Sequence, residues 1–231
     1  MSVLHVDDLT LEVRRSQRRR TLGLTVDREG ELVIAAPASV DEATMCAFVR
    51  EKRFWIYKKL TEKAELRRPV PRKTFVDGEG FLYLGRSYRL KLVDDQDEPL
   101  KLIHGRFRLR RDLVHDGRNQ FIFWYCARGR DWLDRKVREH ARRMEADPAG
   151  VRVQDLGYRW GSCGKGGWLY FHWKTILLPR PIAEYVAVHE LAHLHVPHHT
   201  PAFWRRIERV LPDFLQRRKW LAVHGMDVEG L

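Results

Sequence analysis

The segment Val188–Trp204 reads VHELAHLHVPHHTPAFW, and it indicates the fold and chemistry of the chain more clearly than any other stretch. It contains the pattern H-E-x-x-H, formed by His189, Glu190 and His193. On a helix, residues four apart lie on one face, so both histidines can bind the same metal ion. The glutamate beside the first histidine can then take a proton from a water on that ion. The pattern therefore predicts a metal site on a helix, with Glu190 as a base.

A break in the helix is predicted just beyond this pattern. Pro197 lacks a backbone N–H and clashes with the turn before it, so the helix should end soon after His193. Thr200 and Pro201 have the form of an N-cap followed by proline at the first helical position, which starts a second helix near Ala202. The chain is therefore expected to turn back toward the metal site within a few residues.

Three histidines follow closely enough to supply a third ligand, namely His195, His198 and His199. His195 points away from the ligand face if the chain is still helical there. His198 and His199 are adjacent, and spacing alone leaves both open. The alternative to a metal site is a chance pattern on an amphipathic helix, and the proline and the later histidines make that interpretation the weaker one.

A wider set of motifs resembles the YgjP-like metallopeptidase family, which is related to the SprT-like and WLM zinc metallopeptidases. The segment 158–179, YRWGSCGKGGWLYFHWKTILLP, is followed by YVAVHELAHL, HHTPAFW and LPDFLQRRKWLAVHG. The positions that match the family's motifs are Arg159, Trp160, Gly161, Ser162, Cys163, Trp173, His189, Glu190, His193, His199, Phe203 and Trp204. The sequence departs from the family pattern at His172, His198 and Thr200, where the family usually has asparagine, asparagine and serine.

The resemblance implies a zincin-like hydrolase of peptide or protein substrates. In that interpretation His189, His193 and His199 hold Zn²⁺, and Glu190 activates a zinc-bound water. Two other functions stay open. The same groups can hydrolyse another substrate such as a nucleotide phosphoanhydride, because metal and carboxylate activate water whatever bond is attacked. A zinc-binding module associated with nucleic acid would keep the site with little turnover.

The amino-acid composition limits the class of protein, its compartment and its partners. The 231 residues include 44% hydrophobic residues, which is enough to bury a core. No apolar run resembles a signal peptide or a membrane span, so we expect a cytoplasmic protein without a membrane partner. Three cysteines without C-x-x-C spacing favour free thiols. The net charge of +12 fits a surface that attracts nucleic acid or nucleotides as well as one that only keeps the protein soluble.

Apolar periodicity predicts an α+β fold. Alternating strands around Leu9–Val13, Leu22–Val26 and Leu32–Ala36 form a meander, and helical spacing over residues 40–67 places Phe54 and Trp55 on a core face. We expect a β-rich region with one helix over residues 1–115. The strands over residues 75–114 are expected to be antiparallel, because crossover helices are lacking between them. A zincin-like domain over 116–231 would pack the H-E-x-x-H helix on a short antiparallel sheet.

The strands before the metal helix are predicted to bind the substrate. Val151–Leu156 and Trp168–Leu178 are predicted as a hairpin, with Trp168–Trp173 as an exposed edge that pairs with a peptide. Transition-state charge needs a donor besides the metal, and the residues considered for this are Arg159, Tyr170 and His172. Cys163 is expected to be structural, since the metal site already supplies a nucleophile.

Overall fold

The computed structural model of the chain describes residues 2–27, 30–66, 71–157, 159–228 and 230–231. The fold is α+β, as the sequence predicted. The strands are β1 (Ser2–Val6), β2 (Leu9–Ser16), β3 (Gly23–Val26), β4 (Leu32–Pro37), β5 (Gly80–Tyr83), β6 (Arg86–Val93), β7 (Leu100–Ile103), β8 (Arg106–Arg110), β9 (Gly150–Gln154), β10 (Gly161–Cys163) and β11 (Trp168–His172). The helices are α1 (Glu42–Glu51), α2 (Arg53–Leu66), α3 (Gly117–Met144), α4 (Arg180–Ala192), α5 (Pro201–Val210) and α6 (Phe214–His224). Among the described residues, no helix has the length and apolar character needed to cross a membrane.

The chain divides into two compact units, Met1–Arg68 and Pro69–Leu231. In the first unit the sheet has the strand order β1-β2-β4-β3. Strands β2 and β4 run parallel, whereas β1 pairs with β2, and β3 with β4, in antiparallel fashion. The predicted meander is therefore wrong, because β4 inserts between β2 and β3.

The helical region of the first unit is broken once. Residues 40–67 were predicted as one helix, but α1 and α2 are separate helices that meet at Lys52. Ile56 of α2 is completely buried, while the side chains of Phe54 and Trp55 are 82% and 39% exposed. The prediction that these two aromatic side chains line the core is therefore wrong.

The second unit joins a four-stranded sheet to the long helix α3. The sheet has the order β5-β6-β8-β7. The expected antiparallel pairing holds for β5 with β6 and for β7 with β8, but it is wrong for β6 and β8, which run parallel. Phe81 of β5 stacks on Phe121 of α3 with ring centroids 4.0 Å apart, and Phe107 of β8 lies 5.0 Å from the same ring. These rings are buried in one core, so the strands belong to the compact unit of α3. The boundary expected between residues 115 and 116 lies inside this unit, and a separate functional domain over 116–231 stays a prediction.

The sheet beside α4 has three strands in the order β10-β11-β9. β11 is antiparallel to β10 and parallel to β9, so the expected antiparallel sheet is in fact mixed. The hairpin joins β10 to β11 through the 3-10 turn Lys165–Gly167, and not β9 to β11 as predicted. Because β11 is central, the prediction of Trp168–Trp173 as an exposed edge is also wrong. Trp173 itself begins a 3-10 helix, Trp173–Leu177.

Helices α3, α4 and α6 meet at one carboxylate, that of Glu184. Its Oε1 lies 3.0 Å from Nε2 of His140 and 3.3 Å from Nζ of Lys136. Its Oε2 accepts a hydrogen bond of 2.9 Å from Arg217. These contacts, led by that with His140, lower the pKa of Glu184 to about 2. The ionised carboxylate therefore stabilises the packing of α4, which also carries the candidate site.

This network predicts a specific loss of stability in acid. The folded-state pKa of Glu184 lies below its ordinary value of 4.5, so the stabilisation is complete above pH 4.5 and is lost as the pH falls toward 2. The shift corresponds to roughly 3 kcal/mol, which solvent screening of the partly exposed side chain reduces to about 1–2 kcal/mol. Denaturant melts of wild type and Glu184→Gln should therefore differ at pH 7 and converge near pH 2–3. A difference that does not depend on pH would contradict this account.

Candidate metal centre

Helix α4 carries the first part of the H-E-x-x-H pattern. Its side chains Val188, Leu191 and Ala192 are completely buried, which fixes the helix in the core of the second unit. The helix ends at Ala192 with His193 as the C-cap residue. The N–H of Val196 still donates to the carbonyl of Ala192 at 3.1 Å. The predicted end of the helix soon after His193 is therefore confirmed.

The chain then turns back into α5, which begins at Pro201 after the N-cap residue Thr200. The predicted second helix is thus confirmed. His199 lies just before this N-cap, and its Nε2 is 3.0 Å from Nε2 of His189. The return turn therefore places a residue ten positions away in the sequence beside the first histidine of the pattern.

The ligand atoms of His189, His193 and His199 all lie within 4.8 Å of one another. Nδ1 of His193 lies 3.2 Å from the carbonyl oxygen of Val196, a contact that places the proton on Nδ1 and leaves Nε2 available as a ligand. Nδ1 of His189 is buried and has no hydrogen-bond partner among the described residues. His195 and His198 are exposed and are not members of this group of three.

Aromatic side chains of α5 support the three imidazoles. The ring of Phe203 is completely buried, and its centroid lies 4.6 Å from that of His193 and 4.9 Å from that of His189. Trp204 stacks on His199 with a centroid distance of 5.5 Å and an interplanar angle of 23°. In the sequence, both aromatics can be identified only as motif positions. Their supporting role depends on how α5 packs against α4, which no local pattern reveals.

Burial keeps the imidazoles neutral. It lowers the pKa of His189 to about 3, with further lowering by His193 and His199. Burial also lowers the pKa of His193 and of His199. Three neutral imidazoles with converging nitrogen atoms form a donor set suited to a divalent metal ion such as Zn²⁺.

Glu190 lies beside this group and is only 6% exposed. Burial raises the pKa of its carboxyl to about 8, while the backbone N–H of Cys163 donates to it and the charge of Arg159 favours the ionised form. A nearby bound cation would also favour the ionised form. The side chain is thus held by the edge strand β10 next to the three histidines.

The fit between β10 and Glu190 depends on a glycine. A Cβ built on Gly161 would lie 2.6 Å from Cγ and 2.7 Å from Oε1 of Glu190, closer than atoms can pack. The glycine of the Trp-Gly-Ser-Cys motif therefore allows the carboxylate to approach the strand. Gly161 can be identified from the sequence as a motif residue, but its contact with Glu190 joins segments far apart in the chain and was not predicted.

A cleft of about 500 Å³ opens onto these groups. It is lined on one side by β10 and the following turn, and on the other by the three histidines, Glu190 and Pro197. Lys165 is exposed on this lining and contributes a cation that the sequence analysis did not single out. The cleft joins the candidate ligands, the carboxylate and an edge strand in one accessible space.

The residues considered as donors are placed differently from one another. Arg159 acts on the charge of Glu190, whereas Tyr170 and His172 are not part of the cleft lining. His172 is buried, and its Nδ1 accepts a hydrogen bond of 3.0 Å from the N–H of Lys174. Burial raises the pKa of the Cys163 thiol, with a contribution from Glu190, so the thiol is disfavoured as a nucleophile.

The described residues contain a second group with metal-ligand spacing, formed by Glu139, His140 and Glu184. Nζ of Lys136 lies 2.7 Å from Glu139 and 3.3 Å from Glu184, so a side-chain cation already neutralises these carboxylates. The histidine group differs, since its three members are neutral donors. A buried ring nitrogen without a partner among the described residues occurs in both groups, on His140 and on His189, and does not separate them. The donor chemistry therefore fits a metal at the histidine group.

Three imidazoles that converge beside a buried glutamate on an H-E-x-x-H helix define the class of the site as a candidate mononuclear metal centre of the zincin type. The family model of the YgjP-like metallopeptidase domain matches residues 20–224, and the chain belongs to this family. Membership implies a metallopeptidase-type hydrolase that acts on peptide substrates and binds a metal. Comparisons with curated proteins and with solved structures give no match.

Proposed function

We propose that the chain is a zinc-dependent peptidase in which His189, His193 and His199 bind the metal and Glu190 is the catalytic base. The observation that carries this proposal is the convergence of the three ligand atoms within 4.8 Å, next to a carboxylate held against an edge strand. When bound, zinc would act as a Lewis acid that polarises a carbonyl group and lowers the pKa of a water.

Glu190 performs the proton transfers in this scheme. Its carboxylate accepts a proton from the attacking water and then delivers that proton to the amine that leaves when the C–N bond breaks. The N–H of Cys163 keeps the carboxylate oriented throughout. His193 is oriented in the same way by the carbonyl of Val196, which holds its ring for binding through Nε2.

We propose β10 as the strand that binds the substrate backbone. It is an edge of its sheet, and it lines the cleft. The N–H of His172 donates to the carbonyl of Trp160, and the N–H of Gly164 to the carbonyl of Trp168, so these residues face β11. By the alternation of antiparallel pairing, the backbone groups of Gly161 and Cys163 point away from β11. The N–H of Cys163 is already engaged by Glu190, so an extended peptide would pair with the N–H and carbonyl of Gly161 and with the carbonyl of Cys163 while one of its own carbonyl groups reaches the metal.

The direct test compares substrates of different chemistry. Zinc-loaded protein should hydrolyse casein, lose that activity with a chelator and regain it with added zinc. Nucleoside triphosphates, the substrate of the alternative hydrolase, should stay intact under the same conditions. Triphosphate hydrolysis without casein cleavage would replace the peptidase proposal with the alternative.

Replacing the glycine beside the base should impair catalysis without removing the metal. In Gly161→Ala the new methyl group collides with Glu190 and forces the carboxylate from its position. We expect kcat to fall about 100-fold, since misplacement of a catalytic group by about 1 Å has effects of this order. The measurement is kcat and KM for casein together with zinc content and a thermal melt.

Ser162→Ala is the matched control, because it changes a neighbouring residue of the same strand whose backbone pairs with Tyr170. It should leave kcat within a few-fold of wild type. If Gly161→Ala keeps full activity with zinc bound, the close contact between β10 and Glu190 has no catalytic importance.

A further inference from the structure

The four-stranded sheet of the second unit carries rows of cations on one face. Cross-strand pairing places Arg89 opposite Arg106, and it places both Lys91 and Lys101 opposite Arg108. Directly paired residues project to the same side of a sheet, as do residues two apart on one strand. The five side chains therefore share one face, which we call the cationic face: Arg89, Lys91, Lys101, Arg106 and Arg108.

The opposite side of the same strands is the buried core. Leu90 pairs with Phe107, and Leu92 pairs with Leu109. Leu90, Phe107 and Leu109 are buried in the main core, and Leu92 packs against it. The alternation explains why the cations face outward, but a solvated face is normally built from mixed charges. Here every charged strand position on the face is a cation: the five named above and Arg110, which is paired with Asp112 at the end of β8.

The five cations that define the face lack acidic partners. Among the described residues, none of the five lies within 4.0 Å of a carboxylate oxygen. Asp77 lines the same groove as Arg89, Lys91 and Arg106, and its Oδ1 accepts a hydrogen bond of 2.6 Å from the N–H of Leu92. Arg89 donates to the carbonyl of Gly78 at 2.8 Å, which leaves its charge uncompensated.

Such an arrangement opposes folding. Like charges directly opposite on neighbouring strands are destabilising, and this face contains three such pairs. The buried Nε of Arg108 also has no hydrogen-bond partner among the described residues, which adds to the cost. A ligand that supplies negative charge to this face would relieve the repulsion.

We propose that the cationic face binds the phosphate backbone of nucleic acid. Cations two residues apart on a strand are separated by about 6.6 Å, and neighbouring strands by about 4.8 Å, so the face presents a dense and regular array. A nucleic acid carries a charge at every nucleotide, so each cation can meet a phosphate. An extended acidic peptide can also present charges at regular intervals, so poly-glutamate is the competing ligand in the test. The prevalence of arginine also fits phosphate, which guanidinium groups bind in bidentate fashion.

The other strand positions on this face are also not aromatic, namely Gly80, Leu82, Ser87, Val93, Ile103 and Arg110. The face therefore offers cations for phosphates and no platform for stacking bases. Binding is therefore independent of base sequence and strongly dependent on salt. The cations are also distinct from the residues of the metal centre. This inference goes beyond the peptidase proposal and does not depend on it.

The test measures binding of a fluorescent 30-base-pair DNA duplex of arbitrary sequence to the full chain by anisotropy, over a series of NaCl concentrations. The variant Lys91→Gln/Lys101→Gln/Arg106→Gln removes one cation from each of the three pairs and keeps Arg89 and Arg108. The control Arg135→Gln/Arg142→Gln/Arg143→Gln removes the same charge from exposed positions of α3.

We expect the sheet variant to lose at least tenfold in affinity at 100 mM NaCl. The slope of log K against log[NaCl] should fall in magnitude by about two to three, which corresponds to three lost phosphate contacts. The control should lose less than threefold. Because repulsion is relieved, the thermal midpoint of the sheet variant should equal or exceed that of wild type, which shows that loss of binding is not loss of folding.

Three results would overturn the proposal. The first is equal loss in both triple variants, which would mean a diffuse effect of net charge. The second is no binding of the duplex by wild type at low salt. The third is binding of poly-glutamate, through the same three residues, more tightly than the duplex, which would assign the face to an acidic protein partner.

Discussion

Glu190→Gln should abolish peptide hydrolysis while the protein stays folded and keeps its metal. The amide has the shape of the carboxyl group but cannot accept the proton of the attacking water, and loss of a general base typically reduces the rate by about 10²–10⁴-fold. Zinc content should be unchanged, because Glu190 is not one of the three grouped ligands. The measurement is kcat/KM for casein together with metal analysis of the purified protein.

The melting temperature of the variant gives a second test of the role of Glu190. Burial raises the pKa of Glu190 to about 8, so the ionised carboxylate is unfavourable in the folded protein without metal. A neutral glutamine avoids that penalty, and its carbonyl oxygen can still accept the N–H of Cys163. At pH 7–8 the metal-free Glu190→Gln variant should therefore melt at or above the melting temperature of metal-free wild type. Activity within a few-fold of wild type would exclude Glu190 as the base, and loss of zinc would make it a ligand.

The local features around the candidate site could be predicted from the sequence because each has a signal within a few residues. The period of the apolar residues defined α4, Pro197 defined its end, and Thr200 with Pro201 defined the start of α5. The family match over residues 20–224 agrees with the motif resemblance. The spacing of the histidines left the third ligand open between two neighbours, and only the resemblance selected one of them.

The predictions that were wrong concern contacts between segments far apart in the sequence. Strand β11 was expected to be an exposed edge because of its place beside the metal helix, but β9 and β10 pair on its two sides, and pairing partners are not visible in one strand. The first sheet was misassigned for the same reason, since β4 inserts between β2 and β3. Phe54 and Trp55 have helical spacing, but the break at Lys52 changes which face of α2 is buried. Strand order and helix phase therefore had to come from the structure.

His199→Ala should release zinc, whereas His198→Ala should keep it. Nε2 of His199 lies 3.0 Å from Nε2 of His189, and His198 is not a member of the grouped ligands. Loss of a residue that only supports a ligand weakens metal binding by about 10–100-fold, so loss of the ligand itself should exceed about 100-fold. The measurement is zinc content by metal analysis and zinc affinity by competition with a chelator.

The two variants form a matched pair, since both remove an exposed imidazole from the same turn. Metal binding stabilises the folded state, and saturation at 100 times the Kd contributes about 2.7 kcal/mol. A chelator should therefore lower the melting temperature of wild type and of His198→Ala, but leave that of His199→Ala unchanged. In the presence of chelator all three proteins should melt within a few degrees of one another, because the metal that distinguishes them has been removed. Zinc lost from the His198 variant and retained by the His199 variant would reverse the assignment of the third ligand.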